Sequence, residues 1–175
     1  MKKAIIAVLF LMRMSAFTYG DDQNVKEPNV AGQFYSSDPQ ELAVDIETFF
    51  NSSTVTPSAT FIPMVIAPHA GYVYSGAVAA NSFRAASQGK YKTVVIIAPS
   101  HFVGFEGVSI WDQGAFKTPL GTIMVDEDFA RKLSASQKRF HFEPQAFERE
   151  HAVEVELPFL QKTFKDFKIV PIVMG

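Results

Sequence analysis

Met64-Val-Ile-Ala-Pro-His69 and Val94-Val-Ile-Ile-Ala-Pro-Ser-His101 are two stretches of one chain that share a pattern. Each begins with an apolar run rich in Val and Ile, which is too short for a typical helix and is ended by proline. Each run therefore predicts a β-strand that is buried on both faces, with a histidine just beyond its carboxyl end. Ligands of open α/β sheets bind in the crevice outside those ends. The pattern thus predicts that His69 and His101 share one crevice, at the ends of adjacent parallel strands.

Two histidines in one crevice suggest a metal site, because neutral imidazole is the commonest metal ligand in proteins. We therefore predict His69 and His101 as metal ligands. The alternative is that each histidine only hydrogen-bonds a neighbouring loop, as most buried polar groups do.

The segments around these stretches predict an α/β fold. Asp38 and Pro39 are a capping residue and a first-turn proline, and the apolar residues after them recur at helical spacing. A second helix is predicted for residues 75–86, with Gly89 after its end. Short segments between glycines and prolines in residues 107–125 predict a small antiparallel extension. Asp126 is expected to cap a further helix, and residues 168–174 form a last apolar strand.

His151 is the third candidate site residue. Val153, Leu157 and Leu160 lie at helical spacing, yet Pro158 falls inside the pattern. Because proline is tolerated only in the first turn, the helix should begin between residues 153 and 157, which places His151 beside its amino terminus. This position makes His151 a candidate catalytic general base. An ordinary helix-start histidine remains the alternative.

The amino terminus predicts an export signal in residues 1–20. A basic start is followed by an apolar run over residues 4–12, and Thr18 and Gly20 are small enough to precede a cleavage site. This divides the chain into the signal, a polar leader over residues 21–29 and one domain over residues 30–175. The alternative is a cytoplasmic protein with an amino-terminal arm. The apolar run is too short to span a bilayer, and the chain has no cysteine to carry a lipid, so no stable membrane anchor is expected.

Charge argues against nucleic acid as a partner. The 16 basic and 18 acidic residues give a formal net charge of −2, and removal of Lys2, Lys3 and Arg13 with the signal would change it to −5. Nucleic-acid-binding domains carry the opposite balance. The absence of cysteine also excludes disulfides, which leaves the compartment open.

Taken together, several motifs resemble the Memo family, also called AmmeMemoRadiSam system protein B. They occur in family order over residues 30–175 and comprise Val30-Ala-Gly-Gln-Phe-Tyr35, Ala67-Pro-His-Ala-Gly-Tyr-Val-Tyr-Ser-Gly76, Pro99-Ser-His101, Thr118-Pro-Leu-Gly121, Val125-Asp126, Glu150-His151, Glu156-Leu-Pro-Phe-Leu-Gln161 and Ile169-Val-Pro-Ile-Val-Met-Gly175.

The resemblance implies a fold like that of the class III extradiol dioxygenases. This is a mostly parallel central sheet with helices on both faces and a small antiparallel extension. It also implies Fe(II) or Cu(II) bound by residues matching His69 and His101 and by a cysteine near the carboxyl end, with His151 lining the same pocket. Because this sequence contains no cysteine, the resemblance implies a form that is incomplete at its carboxyl end and lacks the third ligand.

Three functions are compatible with these features. The first is a metal-dependent oxidoreductase that acts on a small molecule. The second is a non-catalytic binding or signalling protein that takes a small-molecule or peptide ligand in the same crevice. The third is a metal-assisted hydrolase, which needs only a metal-activated water and a base. The sequence contains no nucleophile elbow and no phosphate-binding loop.

Overall fold

The computed structural model describes residues 24–175. The predicted export signal and residues 21–23 of the predicted leader lie outside the described residues. Within the described range the protein is an α/β structure with two sheets and five α-helices. No helix between residues 24 and 175 has both the length and the apolar character needed to cross a membrane.

The larger sheet has four strands in the order β2-β7-β3-β6, and it carries the candidate site at one edge. Strands β2 and β7 are parallel over seven residue pairs, whereas β3 is antiparallel to β7 and parallel to β6. The bounds of these strands are β2 Thr93–Pro99, β3 Val108–Ile110, β6 Phe140–His141 and β7 Lys168–Met174.

The smaller sheet contains the predicted antiparallel extension. Its strand order is β1-β4-β5, with β1 and β4 parallel and β4 and β5 forming an antiparallel hairpin. The strands are β1 Val25–Lys26, β4 Ala115–Thr118 and β5 Gly121–Met124. The hairpin turns at residues 118–121, where Gly121 has a φ of 122°, a conformation that favours glycine.

The helices follow the local signals in the sequence. Asp38 caps α1 by accepting a hydrogen bond from the Glu41 N–H at 2.8 Å, and Asp126 caps α3 through the Phe129 N–H. Helix α2 begins one turn earlier than predicted, directly after Gly71. A 3₁₀ turn at Glu154–Glu156 leads into α5, with Pro158 in its first turn as predicted. The helices are α1 Pro39–Ser52, α2 Tyr72–Ala86, α3 Glu127–Ser136, α4 Gln145–Glu148 and α5 Leu157–Thr163.

The predicted strand at residues 64–67 is wrong. This stretch forms no strand, and Met64 and Ile66 are largely exposed. The strand next to β2 is instead β7, so the predicted parallel pairing of the two histidine-bearing stretches is also wrong. The physical reason is that a groove separates residues 61–67 from β2, and an apolar extended segment forms a ladder only where a neighbouring strand lies within hydrogen-bonding reach.

The hydrophobic core is one cluster that includes residues of helices α1, α2 and α5 and of strands β2 and β7. Phe159 is fully buried there and stacks on Phe83 with ring centroids 5.4 Å apart. Helices α1 and α2 cross closely at Gly76, where an added Cβ would lie 2.5 Å from the Phe49 ring. This contact explains why glycine occupies that helical position despite its low helix propensity.

Three glutamates are buried between residues 150 and 156, and two of them are fully paired. The Glu154 carboxylate accepts hydrogen bonds from the backbone N–H groups of Asn29 and Val30 and from the Tyr35 hydroxyl. The Glu150 carboxylate accepts four hydrogen bonds. Glu156 differs, because its Oε2 atom is buried without a hydrogen-bond partner among residues 24–175. Burial raises the pKa of Glu156 to about 8, so its carboxyl is largely protonated at neutral pH.

Replacing Glu156 with glutamine should therefore change how stability depends on pH. In the parent chain the folded state keeps this proton up to about pH 8, whereas the unfolded state releases it near pH 4.5. The free energy of unfolding should fall as pH rises between these values, by on the order of 3 kcal/mol up to pH 7. Glu156→Gln should lose this dependence. Urea unfolding at several pH values measures it, with the exposed Glu106→Gln as control. Parallel pH profiles for parent and Glu156→Gln would refute the assignment.

Candidate metal centre

The three histidines singled out by the sequence lie together in the structure. The ring centroids of His69 and His101 are 5.2 Å apart, and those of His101 and His151 are 4.7 Å apart. The rings of His101 and His151 stack at an interplanar angle of 21°, whereas His69 meets His101 edge-on at 70°. The predicted shared crevice is therefore present, although the segment before His69 is not a strand.

His101 is positioned by the end of β2. The Ser100 N–H donates to the Met174 carbonyl at 2.8 Å and extends the β2–β7 ladder by one residue. The His101 N–H then turns away from the sheet and donates to Glu150 Oε2 at 2.7 Å. The backbone of His101 is thus fixed from two sides, while just over a third of its side chain stays exposed.

His69 is positioned by the start of α2. The Ser75 hydroxyl donates to the Ala70 carbonyl, and the Tyr72 N–H donates to the Phe34 carbonyl at 2.7 Å. Phe34 also packs its ring edge-on against His151, with centroids 4.7 Å apart. The loop around Phe34 therefore links the backbone next to His69 with the ring of His151.

Glu150 is the residue that joins these parts. Its side chain is only 2% exposed, and its two oxygens accept four hydrogen bonds. The donors are the N–H groups of His101, His151 and Ala152 and the Nδ1 atom of His101, at 2.7–2.9 Å. Burial alone raises the pKa of this carboxyl, but the hydrogen bonds from Ala152 and His101 outweigh burial and hold the pKa below its ordinary value. Glu150 is thus a carboxylate at neutral pH.

An ionised carboxylate can only accept hydrogen bonds, so the contact at 2.9 Å requires His101 to carry its proton on Nδ1. In the neutral ring, the Nε2 atom of His101 then has a free lone pair. Metal-binding histidines use this arrangement, in which a carboxylate fixes the tautomer and makes the other nitrogen a better ligand.

The other two imidazoles are also in the form that binds metals. Burial is the largest influence that lowers the pKa of His69, and the neighbouring His101 lowers it further. Burial likewise lowers the pKa of His151, although Glu150 opposes the shift. Both rings are therefore neutral at neutral pH, as ligation requires. His101, Glu150 and His151 also bring candidate ligand atoms within 4.8 Å of one another. These three residues form a candidate metal-binding cluster.

Aromatic side chains and one cation surround the cluster. Phe34 lies against one side of His151, and the Phe102 ring centroid is 6.0 Å from the His151 ring. The Arg149 guanidinium lies 4.5 Å above Phe102. A molecule in the crevice would meet apolar ring surfaces close to the imidazoles and a positive charge above Phe102.

Glu150 is the site residue that the sequence analysis missed. In the sequence it stands out only as part of the Glu150-His151 motif. Its position directly before His151 in Glu150-His151 was an available signal, but its partner His101 lies 49 residues away. Only the fold brings the two together.

The fold and site define an α/β protein with a histidine-rich crevice at the carboxyl end of a parallel strand pair. Comparison with known proteins assigns the family: the sequence model described as Memo-like protein matches residues 26–175. The chain belongs to the Memo family.

Archaeal proteins are among the similar relatives. A MEMO1 family protein of Saccharolobus solfataricus is 42% identical over 158 residues, and one of Pyrobaculum aerophilum is also 42% identical over 158 residues. These matches cover 84% and 86% of this chain. A MEMO1 family protein of Caldivirga maquilingensis is 38% identical over 159 residues, which cover 85% of this chain. In each case the match spans 56% of the relative, so the chain spans little more than half the length of these proteins.

The role given to Glu150 predicts a large effect of Glu150→Gln on stability. The amide keeps one acceptor oxygen, but its NH₂ group would face a donor that now bonds the second carboxylate oxygen and leave that donor without an acceptor in a buried site. We expect the free energy of unfolding to fall by about 2–4 kcal/mol, measured by urea denaturation at pH 7. Glu148→Gln, two residues away and exposed, should change it by less than about 0.5 kcal/mol. Equal, small effects of both changes would contradict the role of Glu150.

Proposed function

We propose that this chain is a metal-binding Memo protein that holds Fe(II) or Cu(II) through His69 and His101. The observation that carries the proposal is the hydrogen bond from His101 Nδ1 to Glu150, which leaves Nε2 available. The neutral His69 ring lies beside it, with centroids 5.2 Å apart. Imidazole ligands suit both metals, and two histidines leave coordination positions for other molecules.

Glu150 serves the centre as an orienting residue in this proposal. Its oxygens already accept four hydrogen bonds, so direct ligation would require some of them to break. Holding the His101 ring by its Nδ1 atom is the role that keeps all four. A bound ion would supply Lewis acidity and redox chemistry in the crevice.

His151 is proposed as the general base beside the ligands. Its neutral ring can accept a proton from a molecule in the crevice. Glu150 Oε1 lies 3.8 Å from His151 Nδ1, and its negative charge would stabilise the imidazolium formed by that transfer. The neighbouring rings of Phe34 and Phe102 limit the access of water to His151.

The surroundings favour a small aromatic or anionic molecule as the substrate of a metal-dependent oxidoreductase. Ring surfaces from Phe34 and Phe102 suit an aromatic group, and Arg149 over Phe102 suits a negative charge. These features concern the molecule that the crevice would accept. The preference for an oxidoreductase over a hydrolase rests on the kind of substrate that this molecule would be.

Metal titrations test the assignment of the histidines. We expect the parent chain to bind Fe(II) or Cu(II) at pH 7.5, more weakly than a three-ligand site does. His69→Ala and His101→Ala should abolish this binding, whereas His151→Ala should leave it largely intact. Calorimetric titrations under anaerobic conditions measure the affinities, with His141→Ala as the matched control. An equal loss in His69→Ala and His151→Ala would make His151 a ligand, and binding that survives the loss of His69 would place the site elsewhere.

Acid should weaken metal binding in the same titrations. Protons compete with the metal for imidazole nitrogen, and burial lowers the pKa of His69 below its ordinary value near 6.5. Binding should therefore persist as the pH falls to about 6 and weaken below it. Affinity that does not change between pH 7.5 and pH 5 would argue against histidine ligands.

We also propose that the protein is exported by its amino-terminal signal. The basic start, apolar run and small residues before Asp21 support this proposal. The mature chain isolated from the periplasm or the medium should begin near Asp21 when its amino terminus is sequenced. Recovery of the chain only from the cytoplasm, with Met1 intact, would contradict export.

A further inference from the structure

Glu154 is a buried acid whose hydrogen-bond donors all lie on one distant loop. The residue is only 4% exposed. Its carboxylate accepts the Asn29 N–H at 2.6 Å, the Val30 N–H at 2.9 Å and the Tyr35 hydroxyl at 2.6 Å. These donors lie at least 119 residues before Glu154 in the sequence. The carboxylate therefore holds a remote segment in place and does not cap its own helical turn.

The segment that Glu154 holds is a compact loop closed by its own backbone. The Phe34 N–H donates to the Val30 carbonyl at 2.9 Å, and the Gly32 N–H donates to the Tyr35 carbonyl at 2.7 Å. Gly32 has a φ of 80°, a conformation that favours glycine. Because these bonds join the two ends of the loop, the position of Val30 determines the position of Phe34.

Phe34 connects this loop to the crevice. Its ring packs edge-on against the His151 ring, with centroids 4.7 Å apart. The side chain of His151 is only 13% exposed, and Phe34 covers one side of it. A hydrogen bond to Glu154 at the start of the loop is thus converted into a contact on His151 at its end.

Asn29 ties the same loop to the backbone beside His151. Its Nδ2 atom donates to the Glu150 carbonyl at 2.9 Å, while its N–H donates to Glu154. The loop is therefore anchored on both sides of His151 in the sequence. Burial and the negative charge of Glu154 raise the pKa of Tyr35, so the Tyr35 hydroxyl keeps its proton and remains a donor to Glu154.

We propose that Glu154 is a positioning residue for the general base His151 and that it acts through Phe34. The inference rests on the role proposed above for His151. The carboxylate holds the loop so that the Phe34 ring shields one side of the imidazole, and solutes reach His151 from the crevice. Functional side chains depend on such buried hydrogen-bonded supports to keep their geometry.

Chemical modification of the histidines in the metal-free chain tests this proposal. Diethyl pyrocarbonate reacts with neutral imidazole. Burial lowers the pKa of His151, so its ring is neutral at pH 7.5 and the rate of modification reports access to the ring. Mass spectrometry of peptides gives separate rates for His151 and His101. The rate at His101, whose side chain is 36% exposed, serves as the internal standard.

Glu154→Gln should raise the rate at His151 about tenfold relative to the rate at His101. The amide keeps one acceptor oxygen, so at least one backbone N–H of the loop loses its acceptor and the loop opens more often. Tyr35→Phe removes only the hydroxyl and should raise the relative rate about threefold. This milder change gives the same comparison should Glu154→Gln unfold. Glu106→Gln, at an exposed acid, is the matched control and should behave like the parent.

A double variant shows whether the effect passes through Phe34. Phe34→Ala removes the shielding ring and should itself raise the rate at His151. Adding Glu154→Gln to Phe34→Ala should then change the rate by less than about twofold, because the ring that Glu154 positions is gone. Thermal unfolding verifies that each variant is folded at the temperature of the reaction.

Three results would overturn the proposal. One is an unchanged rate at His151 in Glu154→Gln, and a second is an equal rise at His101, which would show a general loosening of the fold. The third is a double variant in which the effects of the two changes multiply. The metal titrations are independent of these rates. Failure of the parent chain to bind Fe(II) or Cu(II) would thus refute the metal centre and leave the measured role of Glu154 intact.

Discussion

The buried carboxylate of Glu150 is the interaction on which the candidate centre depends. It lies just before the 3₁₀ turn that leads into α5, and it accepts hydrogen bonds from both the backbone and the ring of His101 at the end of β2. It also accepts the N–H groups of the two residues that follow it. One side chain therefore fixes the loop after the strand, the start of the helical segment and the tautomer of His101. Because a buried carboxylate is stable only when it is fully paired, the fold must keep these parts together.

A second buried glutamate, Glu154, stabilises the loop on the far side of the crevice through hydrogen bonds. Glu154 accepts hydrogen bonds from the N–H groups of Asn29 and Val30 and from the Tyr35 hydroxyl. These contacts hold the loop that contains Phe34 against the 3₁₀ turn, and Phe34 in turn packs on His151. The position of His151 thus depends on two buried acids four residues apart. Glu156, the third buried acid, has no such partners for its Oε2 atom and faces the groove beside β2.

The sequence predicted the features that are determined locally. Asp38 with Pro39, Asp126 and Pro158 each mark a helix start through backbone chemistry within a few residues, and the structure has helices at all three places. The proximity of His69 and His101 followed from a general rule about strand ends, even though only His101 follows a strand. The family assignment followed from motifs distributed over most of the chain. Two features could not be predicted, because both depend on distant residues. They are the hydrogen bond between Glu150 and His101 and the absence of a strand at residues 64–67, where the sequence pattern predicts one.

The most direct test of this account is the tautomer of His101, observed by nitrogen-15 NMR of the imidazole rings at pH 7.5. The account predicts a proton on Nδ1 and a free Nε2. Titration with Zn²⁺, a diamagnetic probe for the centre, should then shift the Nε2 signal of His101 and a ring nitrogen of His69 while the Nδ1 proton stays in place. A proton on Nε2, or zinc binding through Nδ1, would contradict the role of Glu150 and the metal centre built on it.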